Sequence, residues 1–380
     1  MNPASIAALV LSAGFSERMG DFKPLMTLGG ETLLERAVRL FRSVGVKAVH
    51  VVVGHRAAQL TSRVEGLGAR WVFNPAYGEG MFSSVAAGAA SLAAGTEAFF
   101  VLPVDIPLVR PSTLRELLAA LPAGGSAVCH PTFGGRRGHP PLIGGRHIGR
   151  ILSWREEGGL AALLGRLEVH ALNVPVVDEG IHLDMDRPED YRCLAERLES
   201  RGVLSPAECG ALLELRRVPA AVVAHCRAVA DVASRIAQAL NSAGSGLDLG
   251  LVLGAALVHD VARGVPNHAL RGGALLRALD LPLMAEVVEA HVDIAVKTDG
   301  PLREAEVVYL ADKLVMGDRF VGLGERFAES MGKRADPEGR AAARRRLDAA
   351  RAIAGRVRTA TGRSLDSFGG HGQGEVGKGS

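Results

Sequence analysis

Residues 6–25 read IAALVLSAGFSERMGDFKPL, a short apolar run that leads into a glycine-containing loop with two cations. The apolar run predicts a buried first strand. Gly14 lets the backbone turn close to a ligand, and successive N–H groups in such a loop can hold a triphosphate. Arg18 and Lys23 would supply the positive charge that offsets the phosphates. The residues assigned to this phosphate site are Leu11, Ser12, Ala13, Gly14 and Lys23.

The apolar pattern of residues 5–195 predicts an α/β fold. Short apolar runs such as AVHVVVGH and AFFVLPVDIP alternate with amphipathic stretches such as TLLERAVRLFRSVG. Continuous apolar strands separated by helices imply parallel strands buried on both faces, with the helices as crossovers. We therefore predict a doubly wound, mostly parallel sheet. After about residue 200, Ala, Leu and Arg at helical spacing predict an all-α second domain.

The boundary between the two domains is expected in ERLESRGVLSPAECG, where Pro206 is typical of the start of a helix. We assign residues 1–198 to the sheet domain and residues 205–362 to the helical domain. Residues 363–380 are rich in glycine and polar side chains, so we expect them to form a disordered tail.

Composition excludes several classes of protein. Hydrophobic residues make up 48% and charged residues 22% of the 380 residues, which is typical of a globular chain. No apolar run reaches the roughly 18 residues of a membrane span, so we expect no membrane partner. The start of the chain does not resemble a secretory signal, and the four cysteines form no CxxC pair, so we expect a cytoplasmic location.

Charge gives little support for nucleic-acid binding. The formal net charge is +3, and the basic excess is concentrated in GRAAARRRLDAARAIAGRVRTATGR. That run has helical character and is typical of a solvated helix face. Aromatic residues make up only 4%, which argues against stacking platforms for single strands. We expect no nucleic-acid partner.

Carboxylates follow the predicted strands at the edge where ligands bind in open α/β folds. Asp105, in FFVLPVDIPLV, ends a predicted buried strand, and there it is suited to holding Mg²⁺ against phosphates, although it could instead cap the next helix. The stretch IHLDMDRPEDY adds Asp184 and Asp186, one of which could likewise be a helix cap. The sequence GMFSS ends in Ser83 and Ser84, which either cap the following helix or hydrogen-bond a ligand.

The glycine loop is not a P-loop or a dinucleotide fingerprint, because GxxxxGK[ST] and GxGxxG are both absent. Instead, LSAGFSERMGDFKPLMTLGGETLLERAV resembles the signature LAAGxSxRMGxxKxLLxLxGxxLLER of the MobA-like nucleotidyltransferases. Within that family it is most similar to the molybdenum cofactor cytidylyltransferase branch. The resemblance extends through NPAYGEGMFSSVAAGAASL and GRRGHPPLIG and covers roughly the first 195 residues.

This resemblance implies a nucleotide-diphospho-sugar-transferase-like fold, Mg²⁺, a nucleoside triphosphate and a molybdopterin-type acceptor, with a molybdoenzyme or its chaperone as a further partner. It also implies roles for individual residues. Arg18, Lys23 and Asp105 would be catalytic, and Asp105 and Asp186 would bind the metal. The residues implied at the nucleotide are Gly80, Ser83, Ser84 and Asp105, and those implied at the acceptor are Gly138 and His139.

The identity of the nucleotide stays open. The guanylyl branch has two adjacent glycines where this chain has Ala13-Gly14, so CTP is favoured, but Ser12 departs from the usual alanine. GTP is the alternative. A sugar-phosphate or polyol-phosphate nucleotidyltransferase is a second alternative, because the sheet and the phosphate loop are shared with those enzymes.

A second group of polar residues lies on the predicted helices of the second domain. His225, His259-Asp260 and Asp312 supply N and O ligands from three helices, which suits a hard or borderline divalent metal. The spacing resembles the H…HD…D pattern of the HD superfamily of metal-dependent phosphohydrolases over about residues 218–325. The resemblance implies Mn, Fe, Mg or a similar ion at these four residues.

Two further features of this domain bear on its activity. His268 and His291 stand where two-metal members of the HD superfamily carry additional ligands. Ala262-Arg263 replaces the usual Gly-Lys after the His-Asp pair, which leaves open a regulatory domain that binds a nucleotide without turnover.

Overall fold

The computed structural model describes residues 5–15, 19–123, 127–168, 171–296, 300–332 and 337–369. Contacts divide the chain into two units, Met1–Arg201 and Gly202–Ser380. Arg18, implied above as a catalytic residue, lies outside the described residues, as does most of the expected tail, residues 370–380.

The first unit contains one main sheet and a separate two-stranded sheet. Its strands are β1 (Ile6–Ser12), β2 (Thr27–Leu28), β3 (Glu31–Thr32), β4 (Ala48–Val53), β5 (Arg70–Phe73), β6 (Ala98–Pro103), β7 (Val128–Phe133), β8 (Arg136–Arg137), β9 (Leu142–Gly144) and β10 (Ala171–Pro175). The main sheet has the order β10-β7-β9-β6-β1-β4-β5, with β8 paired to β7. Only β8 and β9 run antiparallel to their neighbours in this sheet. The predicted mostly parallel sheet followed by a helical region is confirmed.

Alternate residues of β1 enter two different cores, because successive side chains of a strand point to opposite faces. Ile6, Ala8 and Val10 belong to one apolar cluster, whereas Leu9 and Leu11 belong to the other. Both faces of the sheet are therefore covered by helices. These are α1 (Leu33–Ser43), α2 (Thr61–Gly66), α3 (Met81–Ala90), α4 (Pro111–Ala120), α5 (Ile148–Ser153), α6 (Gly159–Arg166) and α7 (Pro188–Glu199).

The second unit is helical. Its helices are α8 (Pro206–Leu215), α9 (Ala220–Ser242), α10 (Leu249–Val258), α11 (His268–Ala278), α12 (Pro282–Ala290), α13 (Glu304–Lys313), α14 (Leu323–Gly332) and α15 (Pro337–Thr361). Helix α8 begins at Pro206, and the side chain of Ser205 accepts a hydrogen bond from the Glu208 N–H at the helix start. Among the described residues, no helix is both long and apolar enough to cross a bilayer.

Two details of this unit differ from the expectation. The domain is not wholly α, because Gly317, in the left-handed region (φ 63°), turns the chain between two short antiparallel strands. These are β11 (Val315–Met316) and β12 (Arg319–Phe320). The described part of the tail is also ordered, since residues 365–368 form a 3₁₀ turn and Phe368 is buried. One large apolar side chain there is enough to fix the turn against the helices.

In the first unit, Asp178 joins the segment after β6 to the segment after β10. Its Oδ2 accepts hydrogen bonds from the Arg110 N–H and the Thr113 hydroxyl, both at 2.7 Å. Its Oδ1 accepts one from the Gly180 N–H at 3.0 Å. Asp178 is 1% exposed, so water could not reach these donors if the carboxylate were removed. Asp178 thereby fixes the two segments that also carry Asp105 and Asp186.

We expect Asp178→Ala to lower the free energy of unfolding of the first unit by about 3–5 kcal/mol, because it leaves buried donors without an acceptor. Both tryptophans, Trp71 and Trp154, lie in this unit, so tryptophan fluorescence during urea unfolding reports on it alone. Glu199→Ala, at an exposed carboxylate of α7, is the control and should leave the midpoint unchanged. Equal midpoints for the two variants would contradict the prediction.

Candidate functional site

A cleft of about 290 Å³ lies at the carboxyl ends of β1 and β6. The order of the strands reverses at β1, which pairs with β4 on one side and with β6 on the other. Open α/β sheets bind ligands at such switch points. We call this the strand-end cleft. Its lining residues are Leu11, Ser12, Ala13, Gly14, Phe15, Lys23, Pro24, Tyr77, Gly78, Gly80, Met81, Ser84, Pro103, Val104 and Asp105.

The structure brings Lys23, Asp105 and Asp186 together beside this cleft. The Lys23 Nζ lies 2.8 Å from Asp105 Oδ2 and 2.7 Å from Asp186 Oδ1. Burial disfavours the charged form of Lys23, but its contacts with the two carboxylates outweigh burial and raise the pKa of the ammonium. One cation thus compensates two anions that would otherwise repel each other.

Local structure explains how Lys23 reaches this position. Residues 23–25 form a single 3₁₀ turn with Pro24 in its first positions, and the Met26 N–H donates to the Lys23 carbonyl at 3.0 Å. This turn follows the glycine loop directly. The side chain is only 11% exposed, so it is directed inward to the carboxylates and not into solvent.

The two carboxylates are fixed by backbone contacts. The Val104 N–H donates to the Leu11 carbonyl at 3.1 Å, and the Met185 N–H donates to the Asp105 carbonyl at 2.9 Å. The start of α7 is capped by Asp190, whose Oδ2 accepts from the N–H groups of residues 186 and 187. Asp186 therefore does not cap the helix, and its side chain is directed to Lys23.

Asp184 adds a third acidic group to the same region. Its side chain is exposed, but partial desolvation and the charges of Asp186 and Asp105 raise the pKa of its carboxyl. Three carboxylates therefore lie close to one another in this region. A region of this kind favours a cation with oxygen ligands, and Asp105 and Asp186 are the two carboxylates already in contact with one.

The serines in the first turn of α3 contact an asparagine that the sequence analysis did not single out. The Asn74 Nδ2 donates to Ser83 Oγ at 2.8 Å and to Ser84 Oγ at 3.0 Å. The Ser83 hydroxyl also donates to the Gly80 carbonyl. Neither serine occupies the helix cap position, which is Gly80 (φ 93°). Asn74 is the first residue of the segment NPAYGEGMFSS, which ends in the two serines, so this segment could have indicated that Asn74 belongs to the same group.

Gly138 and His139 lie beside the acidic group and not among the residues that line the cleft. The His139 N–H donates to the Ile181 carbonyl at 3.0 Å, and a Cβ on Gly138 would come within 2.6 Å of that same oxygen. Burial lowers the pKa of the His139 imidazole, whereas the charges of Asp105 and Asp184 oppose the shift. His139 is therefore close enough to the carboxylates to interact with them.

An aromatic group at the cleft was also not anticipated. Phe15 lies with its ring centroid 5.3 Å from Tyr77 and 5.2 Å from His55. Phe15 is 45% exposed, so one face of this group is open to a ligand. Phe15 follows Gly14 directly, but Tyr77 and His55 come from distant loops, and no local pattern could have joined them.

In the second unit the predicted metal ligands surround Asp260. The Asp260 Oδ2 lies 3.6 Å from His259 Nε2 and 3.9 Å from His225 Nε2. Its Oδ1 lies 3.3 Å from His268 Nε2 and 3.5 Å from His291 Nε2. Each carboxylate oxygen therefore faces a different pair of imidazoles, so that two ligand groups share Asp260.

Asp312 completes the first of these groups. Its Oδ1 lies 3.1 Å from His225 Nε2 and 3.7 Å from His259 Nε2. Its Oδ2 is paired with the Lys313 ammonium at 2.5 Å. The structure thus brings together all six residues considered for this site. They are His225, His259, Asp260, His268, His291 and Asp312.

Backbone carbonyls fix the protonation of three of these imidazoles. The Nδ1 atoms of His225, His259 and His291 lie 2.7, 2.8 and 2.5 Å from the carbonyls of residues 317, 256 and 288. A carbonyl only accepts hydrogen bonds, so each Nδ1 carries the proton. In the neutral ring, Nε2 then presents a lone pair to the centre of the site, which is the arrangement typical of metal-binding histidines.

The donor atoms fit a divalent metal. His259 is fully buried, its Nε2 has no hydrogen-bond partner, and burial lowers its pKa to about 4, which keeps the ring neutral. Burial opposes ionisation of Asp260, but His268 and His291 hold the pKa of the carboxyl well below its usual value. The neutral His259 ring presents a lone pair beside the ionised Asp260, and imidazole and carboxylate are ligands that borderline divalent ions prefer. Arg263 also contacts Asp260 at the edge of the site.

Comparisons with known families match both units. Residues 8–171 match the family model described as the MobA-like NTP transferase domain, and residues 222–317 match that of the HD domain. The first match contains Lys23 and Asp105, and the second contains His225, His259, Asp260 and Asp312. The two matches lie in the two units that contacts define.

Individual relatives cover only part of the chain. A bifunctional IPC transferase and DIPP synthase of Rubrobacter xylanophilus is 41% identical over 30% of this chain and 26% of its own length. A probable molybdenum cofactor guanylyltransferase of Opitutus terrae is 36% identical over 33% of this chain and 61% of its own length. The chain therefore spans less than two thirds of each relative. A solved nucleotidyl transferase from Methanothermobacter thermautotrophicus is 25% identical and covers 51% of this chain and 97% of its own, with a TM-score of 0.46.

We expect Lys23→Met to bind Mn²⁺ about tenfold more tightly at the strand-end cleft when no nucleotide is present. The ammonium occupies both carboxylates, so a metal ion must displace it, and about tenfold corresponds to one charge-assisted hydrogen bond. Titration by electron paramagnetic resonance measures the affinity, in an Asp260→Ala background that removes the ligand common to both metal groups of the second unit.

Lys47→Met, at an exposed lysine of the same unit, is the matched control and should bind Mn²⁺ as the parent protein does. If Lys23→Met and Lys47→Met gave the same affinity, Lys23 would not compete with the metal.

Proposed function

We propose that the chain transfers CMP from CTP to the terminal phosphate of molybdopterin, with release of pyrophosphate. Residues 8–171 match the MobA-like NTP transferase domain, which supports the transferase part of this proposal. The observation that carries it is the contact of Lys23 with Asp105 and Asp186 beside the strand-end cleft. A cation and two carboxylates thus lie close to the glycine loop.

In this reaction an oxygen of the acceptor phosphate forms a bond with the α-phosphorus of CTP, and the bond between the α-phosphorus and the bridging oxygen of the β-phosphate breaks. Mg²⁺, held by Asp105 and Asp186, would supply charge that stabilises the phosphates. Lys23, once separated from the carboxylates, would bind the negative charge that develops on the transferred group. No nucleophilic side chain is needed, since the acceptor supplies the attacking oxygen.

Other residues of the cleft would orient the nucleotide. The Ser12 hydroxyl is buried and has no hydrogen-bond partner among the described residues, so it is available to donate to the triphosphate. The N–H groups of the glycine loop would contact the same phosphates. Ser84 and Gly80 line the opposite part of the cleft, and Gly138 and His139 would position the acceptor near the acidic group. Alignment of this kind supplies much of the rate in phosphoryl transfer.

CTP is favoured over GTP by the resemblance at Ala13. The Ala13 methyl is 4% exposed at the cleft wall, and a glycine there, as in the guanylyl branch, would leave more room. GTP is the first alternative, and a sugar-phosphate or polyol-phosphate acceptor is the second. The product would pass to a molybdoenzyme or its chaperone.

Pyrophosphate release from each of the four nucleoside triphosphates, with molybdopterin as acceptor and Mg²⁺ present, tests the proposal. We expect CTP to be used best. Asp105→Asn should lower kcat/KM by at least about 100-fold, because a metal ligand at the transferred phosphate is lost. Asp21→Asn, at an exposed carboxylate near Lys23, should have no effect.

Each alternative gives a different result. Turnover with GTP alone would reject cytidylyl transfer, and turnover with sugar or polyol phosphates but not molybdopterin would reject the acceptor. No pyrophosphate release with any combination would reject the transferase proposal altogether.

For the second unit we propose a metal-dependent phosphohydrolase. The observation that favours it is the position of Asp260, which faces one pair of imidazoles with each carboxylate oxygen. Two metal ions that share this ligand would activate water and bind a phosphate ester together. Arg263 lies at the edge of the site, where it could contact the phosphate. The alternative is a sensor that binds a nucleotide without turnover.

We expect the purified protein loaded with Mn²⁺ to hold two metal ions in this unit, and His268→Ala to hold one, because only the second group loses a ligand. Asp260→Ala should hold none. Metal content by plasma mass spectrometry, measured in an Asp105→Asn background that removes a proposed ligand of the first unit, and hydrolysis of bis(p-nitrophenyl) phosphate are the measurements. His182→Gln, in the first unit, is the control.

Hydrolysis should fall to background in Asp260→Ala. Two bound metals without hydrolysis of any phosphate ester would favour the sensor, whereas an unchanged metal content in His268→Ala would reject the two-metal site.

A further inference from the structure

A second cavity of about 330 Å³ lies in the first unit and shares no lining residue with the strand-end cleft. Its walls come from α1, from the segment 107–111 and from the end of α7 with the residues that follow it. Three of its nine lining residues are arginines, namely Arg36, Arg39 and Arg201, and none of the nine is acidic. We call it the arginine pocket.

Arg36 is the most buried of the three cations. Its side chain is 7% exposed, and its Nε is buried without a hydrogen-bond partner. Its Nη2 donates to the Leu28 carbonyl at 2.6 Å and lies 3.6 Å from Glu31. Burial lowers the pKa of this guanidinium, and Arg39 adds to the shift although Glu31 opposes it. A buried cation with an unpaired N–H group destabilises the fold, unless a ligand accepts a hydrogen bond from that group.

The other two arginines increase the excess of positive charge. Arg201 donates through Nη2 to the Val109 carbonyl, and burial lowers its pKa to about 10. Asp178 opposes this shift, whereas the neighbouring guanidiniums add to it. Arg39 pairs with Glu31, but its side chain is 61% exposed. The guanidiniums are thus close enough to repel one another.

We infer that the arginine pocket binds a small phosphate-bearing anion, with Arg36, Arg39 and Arg201 as its donors. A guanidinium presents its N–H groups as a planar fork that matches two phosphate oxygens, and three forks around one cavity suit a tetrahedral, multiply charged group. The remaining wall includes Leu40 and Val109, which can contact a less polar part of the ligand. Binding would remove the repulsion between the three cations.

Calorimetric titration with inorganic pyrophosphate tests this inference, in a buffer of constant ionic strength with EDTA, so that the metal-dependent sites do not contribute. We expect one site in the parent protein. Arg39→Gln should weaken binding by at least about tenfold, since one charge-assisted contact is lost. This residue is exposed and the variant should fold, which circular dichroism would verify.

Three further variants give the inference its sharpest test. Glu31→Gln should bind pyrophosphate more tightly, because the acid that competes for Arg36 and Arg39 loses its charge. Arg63→Gln removes the same charge at an exposed position of α2 outside the pocket and should bind as the parent does. Lys23→Gln should also bind as the parent does, which separates this pocket from the strand-end cleft.

The inference fails if Arg39→Gln and Arg63→Gln give equal affinities, if Glu31→Gln weakens binding, or if Lys23→Gln abolishes it. None of these outcomes bears on nucleotidyl transfer, which is measured separately by pyrophosphate release.

Discussion

One ammonium group between two carboxylates is the contact on which the first unit depends. Lys23 is separated by 82 residues from Asp105 and by 163 from Asp186, yet it contacts both within 2.8 Å. Each carboxylate follows a strand of the same sheet, and without a cation between them they would repel each other at short range. In the reaction proposed above, a metal ion would replace the ammonium at the carboxylates, and the phosphates of the nucleotide would replace the carboxylates at the ammonium.

The second unit surrounds its carboxylates with imidazoles. Two buried carboxylates, Asp260 and Asp312, lie among four imidazoles, and for three of these rings a backbone carbonyl fixes the proton on Nδ1. Lys313 pairs with Asp312, and Arg263 contacts Asp260. In the first site one lysine contacts both carboxylates, whereas in the second each carboxylate contacts imidazoles as well as a cation. Both arrangements suit phosphate chemistry, and this is the property that the two halves of the chain have in common.

Asp178 links the fold of the first unit to its site. It lies away from the cleft, but its three hydrogen bonds fix the segments that deliver Asp105 and Asp186. The arginine pocket uses part of the same framework, since its walls include residues 107–111 and the end of α7. These two cavities thus differ in the sign of the charges around them, although the same segments support both. Acidic residues flank the cleft, whereas only cationic and neutral residues line the pocket.

Features that depend on neighbours along the chain could be predicted from the sequence. Apolar periodicity predicted the sheet and the helices, the glycine loop predicted where β1 would end, and the spacing from His225 to Asp312 predicted which helices would carry the second site. The contacts of Asn74, the group of Phe15 with Tyr77, and the arginine pocket could be recognised only in the folded chain. Their members come from segments far apart in the chain, and a side chain's partners across such distances depend on strand order and helix packing, which leave no periodic signal in the sequence. The sequence left either Asp184 or Asp186 as a possible cap of α7. In the structure Arg187 occupies the cap position, its N–H donates to the Asp190 side chain, and Asp186 contacts Lys23. The contact with Lys23 depends on the fold, because the two residues are far apart in the chain.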